Sequence, residues 1–196
     1  MKKSNAGAQP AMAENVIAAV WGVAEGTVFF IVPDVWISWV ALKSRRRSLT
    51  TTLSALAGAL VGGLATYKYS SRTGADATRR FLVGQPAISH AMINRIEHEM
   101  VEEGPKTLMR GPLRGAPYKI YARTAGVQEQ PLGTFLAWSV PARLIRFVLV
   151  SLGSSAMASA TKKHFPRHAK TINRIGFFAA WTAFYIWFFK TTGRED

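Results

Sequence analysis

Long stretches of the chain carry apolar and small residues with almost no charge, and basic clusters separate them. They cover residues 11–42, 49–67, 133–160 and 175–190. A bilayer core about 30 Å thick is crossed by about 20 apolar helical residues, and the second and third stretches meet that length. The fourth is slightly short, but Arg174 and Lys190 at its ends can extend their stems to the interface.

Helices of a soluble bundle would show a different pattern. A core helix with a solvent face carries charged residues every three or four positions, whereas 49–67 and 175–189 contain none. We therefore expect an all-α integral membrane protein, with transmembrane helices over 49–67, 133–160 and 175–190.

The first stretch, 11–42, is too long for one straight span and contains Pro33 followed by Asp34. Proline removes a helical hydrogen bond and breaks the helix, and a carboxylate is unfavourable in lipid. Two short helices that meet at Pro33 predict a re-entrant hairpin, which is tolerated where protein or water surrounds the turn.

A second broken segment covers residues 106–126. It contains Gly111, Pro112, Gly115 and Pro117 among many basic residues, so an ordinary transmembrane helix is excluded. Two interpretations are open here, a second re-entrant hairpin or a surface loop.

The polar linker between the two halves, 70–105, contains a periodic segment from Pro86 to Glu103. Apolar residues recur there at every fourth position, and Gly104 and Pro105 follow. This spacing predicts an amphipathic helix that lies on the membrane surface or packs on the body of the protein.

The order is hairpin, span, linker, hairpin, span and final span within one domain, 1–196. Transporters built from two inverted halves around a site at the membrane midplane have this organisation. The fold prediction is thus two re-entrant hairpins and about three transmembrane helices in an inverted-repeat-like order, although the halves share no visible sequence identity.

The amino-acid composition indicates what kind of partner the protein binds. The chain has 25 Lys and Arg against 11 Asp and Glu, a formal net charge of +14, and 48% hydrophobic residues. The charge favours a polyanionic partner, and the apolar fraction excludes a disordered basic tail. Because the basic residues lie beside the apolar stretches, we expect anionic lipid headgroups and not nucleic acid.

The lack of cysteine excludes disulfide frameworks, thiolate zinc sites and iron–sulfur clusters.

Basic clusters at 43–47 and 162–174 bear on orientation. If both lie on one side with the N-terminus, the two sides carry similar numbers of Lys and Arg. We expect the side of Arg45–Arg47 to be cytoplasmic, as the positive-inside rule describes.

Ionisable residues inside apolar stretches are candidate functional residues because they are costly in lipid. They are Glu25, Asp34, Arg143 and Arg146. Acids in the first stretch and arginines in the third predict ion pairs across the bundle. Two alternatives are open: Asp34 caps the helix after Pro33, and the arginines extend to an interface.

Several residues have structural interpretations. Pro33, Pro117, Pro141 and Gly126 are candidate hinges, and Gly58 and Gly62 have the spacing of close helix packing. The aromatic residues of the fourth stretch, Trp181, Tyr185 and Trp187, are expected to face lipid.

Catalytic and metal-binding patterns are scarce. His164 and His168 are four residues apart, but Pro166 lies between them and no third ligand is near in the sequence. No Walker loop and no nucleophile-elbow motif occurs. We therefore expect no metal, no cofactor and no enzymatic activity.

Taken together, these residues resemble the DedA superfamily, also called the VTT or SNARE-associated Golgi protein family. In its first hairpin a glutamate precedes a proline followed by an acid, as Glu25 precedes Pro33-Asp34 here. The second half is similar to the YqaA-like branch in Pro117-Tyr118-Lys119, Ala125-Gly126, Arg143 and Arg146-Phe147. The resemblance covers about residues 23–150. It departs at Ala142, where the family has glycine, and the family's basic residue after the hairpin proline corresponds to Lys119 or Arg123.

The resemblance implies a bacterial inner-membrane protein with two opposed re-entrant hairpins that meet in the membrane. Relatives move phospholipids or polyprenyl phosphates across bilayers, in some cases coupled to protons. It implies that Glu25 and Asp34 respond to protons and that Lys119, Arg143 and Arg146 hold a phosphate headgroup. Two other functions are open: a non-transporting scaffold that associates with itself or a larger membrane complex, and a lipid phosphatase, which the missing catalytic residues disfavour.

Overall fold

The computed structural model describes residues 8–86 and 88–192, which are helical with no strand among them. The helices are α1 (Ala8–Thr27), α2 (Asp34–Ala41), α3 (Arg45–Thr73), α4 (Ala75–Val83), α5 (His90–Glu103), a 3₁₀ helix (Gly104–Arg110), α6 (Gly111–Arg114), α7 (Tyr118–Val127), α8 (Leu132–His164) and α9 (Ala169–Thr192). The all-α prediction is confirmed.

Two of these helices, α3 and α8, are long and apolar enough to cross a membrane. They have 29 and 33 residues, longer than the predicted 49–67 and 133–160. The third predicted span, 175–190, lies in the 24-residue α9, which is not one of these two helices; its uncharged run, 175–189, is shorter than the roughly 20 residues that a span needs. Length and composition therefore identify α3 and α8 as candidate spans among the described residues.

Glycines hold α1 against α3. A Cβ atom on Gly58 would lie 2.0 Å from the Ala19 carbonyl oxygen, and one on Gly62 would lie 2.6 Å from that of Val23. From the other side, a Cβ on Gly22 would lie 2.4 Å from the Ala55 carbonyl oxygen. Only glycine permits backbones to approach this closely, so Gly58 and Gly62 have the packing role that their spacing predicts.

The helix break near Pro33 is present. The chain leaves α1 after Thr27, and α2 begins at Asp34. The indole nitrogen of Trp36 donates to the carbonyl oxygen of Glu14, 22 residues earlier, at 3.0 Å. The chain therefore turns back along α1 and forms a helix–loop–helix hairpin.

The two long helices run antiparallel. Ser48, in the first turn of α3, has its Oγ 2.8 Å from that of Ser151 in the second half of α8. Farther along α3, Gly63 contacts Tyr118, whose hydroxyl bonds to Ser139 in the first half of α8. The basic clusters at 43–47 and 162–174 therefore lie at the same end of the molecule.

The helix predicted in the linker is α5. Ser89 caps it by accepting a hydrogen bond from the Met92 amide at 3.1 Å, and it ends at Gly104, where φ is 70°. Its residues Met92, Ile93, Ile96 and Met100 are buried against the 3₁₀ helix and α7. Of the two open interpretations, packing on the body is the one observed.

The second broken segment consists of the 3₁₀ helix, α6, a turn at Gly115 and α7. Gly115 has φ of 67°, a left-handed conformation that favours glycine. All residues from Tyr118 to Gly126 are buried. The surface-loop interpretation is therefore wrong for this part of 106–126.

Candidate functional site

An ion pair joins the end of α1 to α8. Arg143 donates from Nη1 to Glu25 Oε1 at 3.2 Å and from Nη2 to Glu25 Oε2. Only 2% of Glu25 and 4% of Arg143 is exposed. Two-point guanidinium–carboxylate contacts are directional and charge-assisted, so Glu25 and Arg143 hold each other in a defined orientation away from solvent.

Aromatic rings surround the guanidinium of this pair. Its Cζ lies 4.8 Å from the ring centre of Tyr118 and 4.9 Å from that of Phe147. The Tyr118 hydroxyl donates to Ser139 Oγ at 3.0 Å, and Ser139 donates to the Phe135 carbonyl oxygen at 2.8 Å. These contacts stabilise a cation by the ring faces and fix Tyr118 in place. The Arg143 Nε atom is buried and has no hydrogen-bond partner among the described residues.

A second ion pair lies one helical turn farther along α8. Arg146 Nε donates to Asp34 Oδ1 at 3.1 Å, and its Nη2 lies 2.8 Å from Oδ2, which accepts no hydrogen bond from the described residues. Asp34 is fully buried and is the first residue of α2, where the helix dipole also favours a carboxylate. The expected pairing between acids of the first stretch and arginines of the third is thus present at both positions.

Lys119 connects the two broken segments. It lies in the first turn of α7 and is 1% exposed. Its Nζ donates to the carbonyl oxygen of Phe29, in the break between α1 and α2, at 2.8 Å, and to Gln85 Oε1 at 2.6 Å. The turns at Pro33 and Pro117 are therefore brought together through a lysine that bonds to two neutral oxygens.

A cavity of about 130 Å³ lies where these groups meet. Glu25, Lys119 and Arg146 line it together with apolar residues of the two breaks. Aromatic side chains of α9, including Phe184 and Tyr185, cover one wall. We call this space the central cavity; it is larger than one water molecule requires.

The charges around the central cavity do not balance. Within residues 8–86 and 88–192, the two carboxylates of this region, Glu25 and Asp34, lie near three cationic groups, Lys119, Arg143 and Arg146. Each carboxylate is paired with an arginine, so with all five groups ionised one positive charge remains, on Lys119. The site is therefore suited to an anion, because a buried cation is stabilised by an opposite charge.

The four candidate hinge residues lie in different settings. Pro33 and Pro117 immediately precede α2 and α7, so the chain bends at both. Pro141 lies inside α8, which continues through it. Gly126 lies inside α7, where a Cβ atom would be 2.3 Å from the Tyr67 carbonyl oxygen; the chain does not turn there, and the glycine permits close packing of α7 on α3.

Two aromatic residues of α9 make inward contacts that the sequence pattern does not predict. The Tyr185 hydroxyl accepts a hydrogen bond from the Val32 amide at 3.1 Å, and the Trp181 indole donates to Ser38 Oγ at 3.0 Å. The prediction that both face lipid is wrong, whereas Trp187 is 58% exposed. Their amphipathic rings suit an interface or a buried polar contact equally, and sequence alone does not separate the two.

Arg123, the alternative to Lys119, belongs to a separate network. Its guanidinium donates to Thr78 Oγ1 at 3.0 Å, to the Ala75 carbonyl oxygen at 2.6 Å and to Glu97. It therefore connects α7 to the linker helices. Of Lys119 and Arg123, Lys119 is the one that lines the central cavity.

An exposed ion pair on the linker provides a contrast with the buried ones. Arg110 Nη1 donates to Glu103 Oε1 at 2.5 Å and Nη2 donates to Oε2 at 3.1 Å. This bonding holds the pKa of the Glu103 carboxyl below its ordinary value. Because this pair is in water, it contributes little to stability.

No group of three or more His, Asp or Glu side chains with the geometry of a metal site occurs in residues 8–86 and 88–192. Comparisons with protein-family models, curated proteins and solved structures gave no match.

Proposed function

We propose that this chain is an integral membrane protein of the DedA kind that moves the phosphate headgroup of a lipid across the bilayer, coupled to the binding and release of protons. The observation that carries the proposal is the central cavity, where an excess lysine charge lies beside a buried and a part-buried carboxylate–guanidinium pair. A phospholipid or a polyprenyl phosphate is the substrate class, and the bacterial inner membrane is the location that the family resemblance implies.

Membrane embedding is supported by length and by surface. At about 1.5 Å rise per residue, α3 and α8 are each longer than the roughly 30 Å hydrocarbon core. Large apolar side chains on the outside of α8 and α9 are more than half exposed, among them Leu149 at 65%, Ile175 at 65% and Phe178 at 62%. A bilayer would cover these side chains, which water would not stabilise.

Headgroup binding would use the cations that face the cavity. A phosphate monoester or diester offers oxygens with the same two-point geometry as a carboxylate, and arginine binds both well. A phosphate in the central cavity would meet Lys119 first, since that residue bonds only to neutral oxygens. It would then compete with Asp34 for Arg146, whose side chain is 23% exposed.

Coupling to protons would follow from that competition. A carboxylate that loses its arginine in a site from which water is excluded is favoured in its protonated form. Asp34 and Glu25 would each take up a proton when phosphate occupies the arginines, and release it when the pairs re-form. The substrate phosphate and the proton would thereby be coupled through Arg143 and Arg146.

The path for the headgroup would run between the two broken segments. Non-helical backbone is tolerated at membrane depth where it lines a cavity, and this cavity is lined by Phe29, Phe30 and Val32 of the first break and by the turn at 115–117. If both segments are re-entrant, the apolar barrier between the two water phases is thinner here than along α3 or α8. The inverted-repeat arrangement would let the cavity open to either side.

Translocation of labelled phospholipid and of polyprenyl phosphate in liposomes tests the proposal. We expect the variant Lys119→Met and the double variant Glu25→Gln, Arg143→Gln to lower the rate at least about tenfold, as loss of a buried charge-assisted contact would. The control matched to the double variant is Glu103→Gln, Arg110→Gln, which removes an exposed ion pair and likewise leaves the net charge unchanged. Wild-type rates in folded Lys119 and Glu25–Arg143 variants would contradict the proposal.

A non-transporting scaffold is the second candidate, and one observation favours it. Both carboxylates are already paired with arginines, and the cavity of about 130 Å³ is far smaller than a whole phospholipid. Both features are expected if the ion pairs only cross-link α1 and α2 to α8. The scaffold predicts that charge reversal at Arg45–Arg47 impairs function more than Lys119→Met does. Co-purification with a larger membrane complex, lost on that reversal, would support it over transport.

A further inference from the structure

A second cavity, of about 500 Å³, lies at the end of the molecule where α2 and α8 end and α9 begins. We call it the basic groove, and four cationic side chains line it: Lys43, Lys162, Lys170 and Arg174. They come from three separate parts of the chain, so folding brings together charges that repel one another. Such a cluster is unfavourable unless an anion is present.

The described acidic residues do not neutralise this cluster. None of the residues that line the groove is acidic, and none of its four cations forms an ion pair within residues 8–86 and 88–192. Glu14, at the same end of the bundle, is paired with Arg47 at 3.1 Å. The groove therefore has the charge that an anionic ligand would complement.

The walls of the groove combine charge with aromatic and apolar surface. The Lys43 ammonium lies 4.7 Å from the ring centre of Trp39, which also lines the groove. Beside it, Ile175 and Phe178 on α9 are 65% and 62% exposed, and Phe165 in the preceding loop is 58% exposed. A ligand with a charged head and an apolar tail would match both surfaces, whereas free phosphate would use only the first.

We propose that the basic groove is a peripheral binding site for the phosphate headgroup of an anionic phospholipid, separate from the central cavity. Its Lys and Arg side chains would hold the phosphate at the membrane surface while the acyl chains lie along the exposed face of α9. The site requires the membrane embedding proposed above but not translocation, because neither Lys119 nor the two buried ion pairs take part in it.

Binding is tested with the full chain in a neutral detergent by thermal unfolding during titration with phosphatidylglycerol, phosphatidylcholine or inorganic phosphate. We expect phosphatidylglycerol to raise the melting temperature at lower concentration than phosphatidylcholine. The variant Lys162→Gln, Lys170→Gln should weaken phosphatidylglycerol binding at least about tenfold, since each basic residue near a membrane surface contributes about 1 kcal/mol.

The matched control is Lys163→Gln, Arg167→Gln. Both residues are exposed neighbours in the same cluster and do not line the groove, so the charge of the protein changes equally. Equal loss of binding in both variants would show diffuse electrostatic attraction and overturn the site. Stabilisation by inorganic phosphate as strong as that by phosphatidylglycerol would also overturn it.

A third variant keeps the test decisive if the double variant does not fold. Arg174→Gln removes a single groove charge on α9, and we expect about fivefold weaker phosphatidylglycerol binding. Liposome translocation is measured on the same variants, and wild-type rates are expected. Loss of translocation with unchanged lipid binding would contradict this assignment, whereas inactivity of the Lys119 variant bears only on the central cavity.

Discussion

The guanidinium of Arg143 makes two hydrogen bonds to the carboxylate of Glu25, which lies 118 residues earlier in the chain. Both side chains are almost fully buried. The pair therefore fixes the end of α1 on α8 and leaves neither charge alone in an environment that stabilises it poorly.

Replacing one member of this pair is expected to be more harmful than replacing both. Glu25→Leu leaves the Arg143 charge buried without its partner, which costs about 3–5 kcal/mol. The double variant Glu25→Leu, Arg143→Met removes both charges at similar volume and should recover at least about half of that loss. Thermal and denaturant unfolding in detergent of the two single variants, the double variant and wild type completes the cycle. Additive losses would contradict the coupling.

Alanine substitutions at two glycines are expected to change stability in opposite directions, because one glycine lies in the contact between α1 and α3 and the other has open space around it. Gly58→Ala places a Cβ atom 2.0 Å from the Ala19 carbonyl oxygen, so the helices must separate, at a cost of about 1–3 kcal/mol. Gly153→Ala, in the interior of α8, meets nothing within 4 Å and should leave stability unchanged or raise it by up to about 1 kcal/mol. Unfolding midpoints of the two variants check this. Equal effects would show that α1 and α3 do not pack as described.

Part of the fold could be predicted because the relevant signals are local. Proline is unfavourable in a helix interior, so Pro33 indicates a helix boundary, and the glycines four residues apart on α3 indicate close packing. Glu25 and Arg143 were also identifiable, since few interactions other than an ion pair or a water-filled site justify such residues in apolar stretches.

The remaining features depend on tertiary contacts that no local pattern records. Lys119 is one of many basic residues in a segment rich in glycine and proline, and only the fold brings it to the carbonyl oxygen of Phe29. The inward orientation of Tyr185 likewise depends on the Val32 amide. This amide lies in the break before Pro33 and donates its hydrogen bond to the Tyr185 hydroxyl. Burial of α7 follows from its contacts with α3 and α5, because its own sequence is basic and only moderately apolar.

Tyr185→Phe tests the contact between α9 and the first break. The substitution removes only the hydroxyl and leaves the Val32 amide without its acceptor; because this hydrogen bond is part-buried, its loss costs about 0.5–1.5 kcal/mol. We expect a loss in that range and faster hydrogen exchange at the Val32 amide, measured by mass spectrometry. Tyr69→Phe is the control, because Tyr69 is 55% exposed. An unaltered exchange rate at Val32 would contradict this contact.

A disulfide can test the antiparallel packing of α3 on α8 directly, because the native chain has no cysteine. Ser48 and Ser151 are fully buried, and their Oγ atoms are 2.8 Å apart. Cysteine sulfur atoms at these two positions would therefore be close enough to form a disulfide. We expect the double variant Ser48→Cys, Ser151→Cys to form an intramolecular disulfide on mild oxidation in membranes, detected by mass spectrometry of linked peptides.

The control for this cross-link is Ser48→Cys with Ser159→Cys. Ser159 lies on the same helix two turns beyond Ser151, a displacement of about 12 Å at 1.5 Å per residue, so this pair should remain reduced. Cross-linking of the Ser159 pair in preference to the Ser151 pair would mean that α8 is shifted along α3. That shift would also separate Arg143 from Glu25, since both ion pairs depend on the position of α8 against the first hairpin.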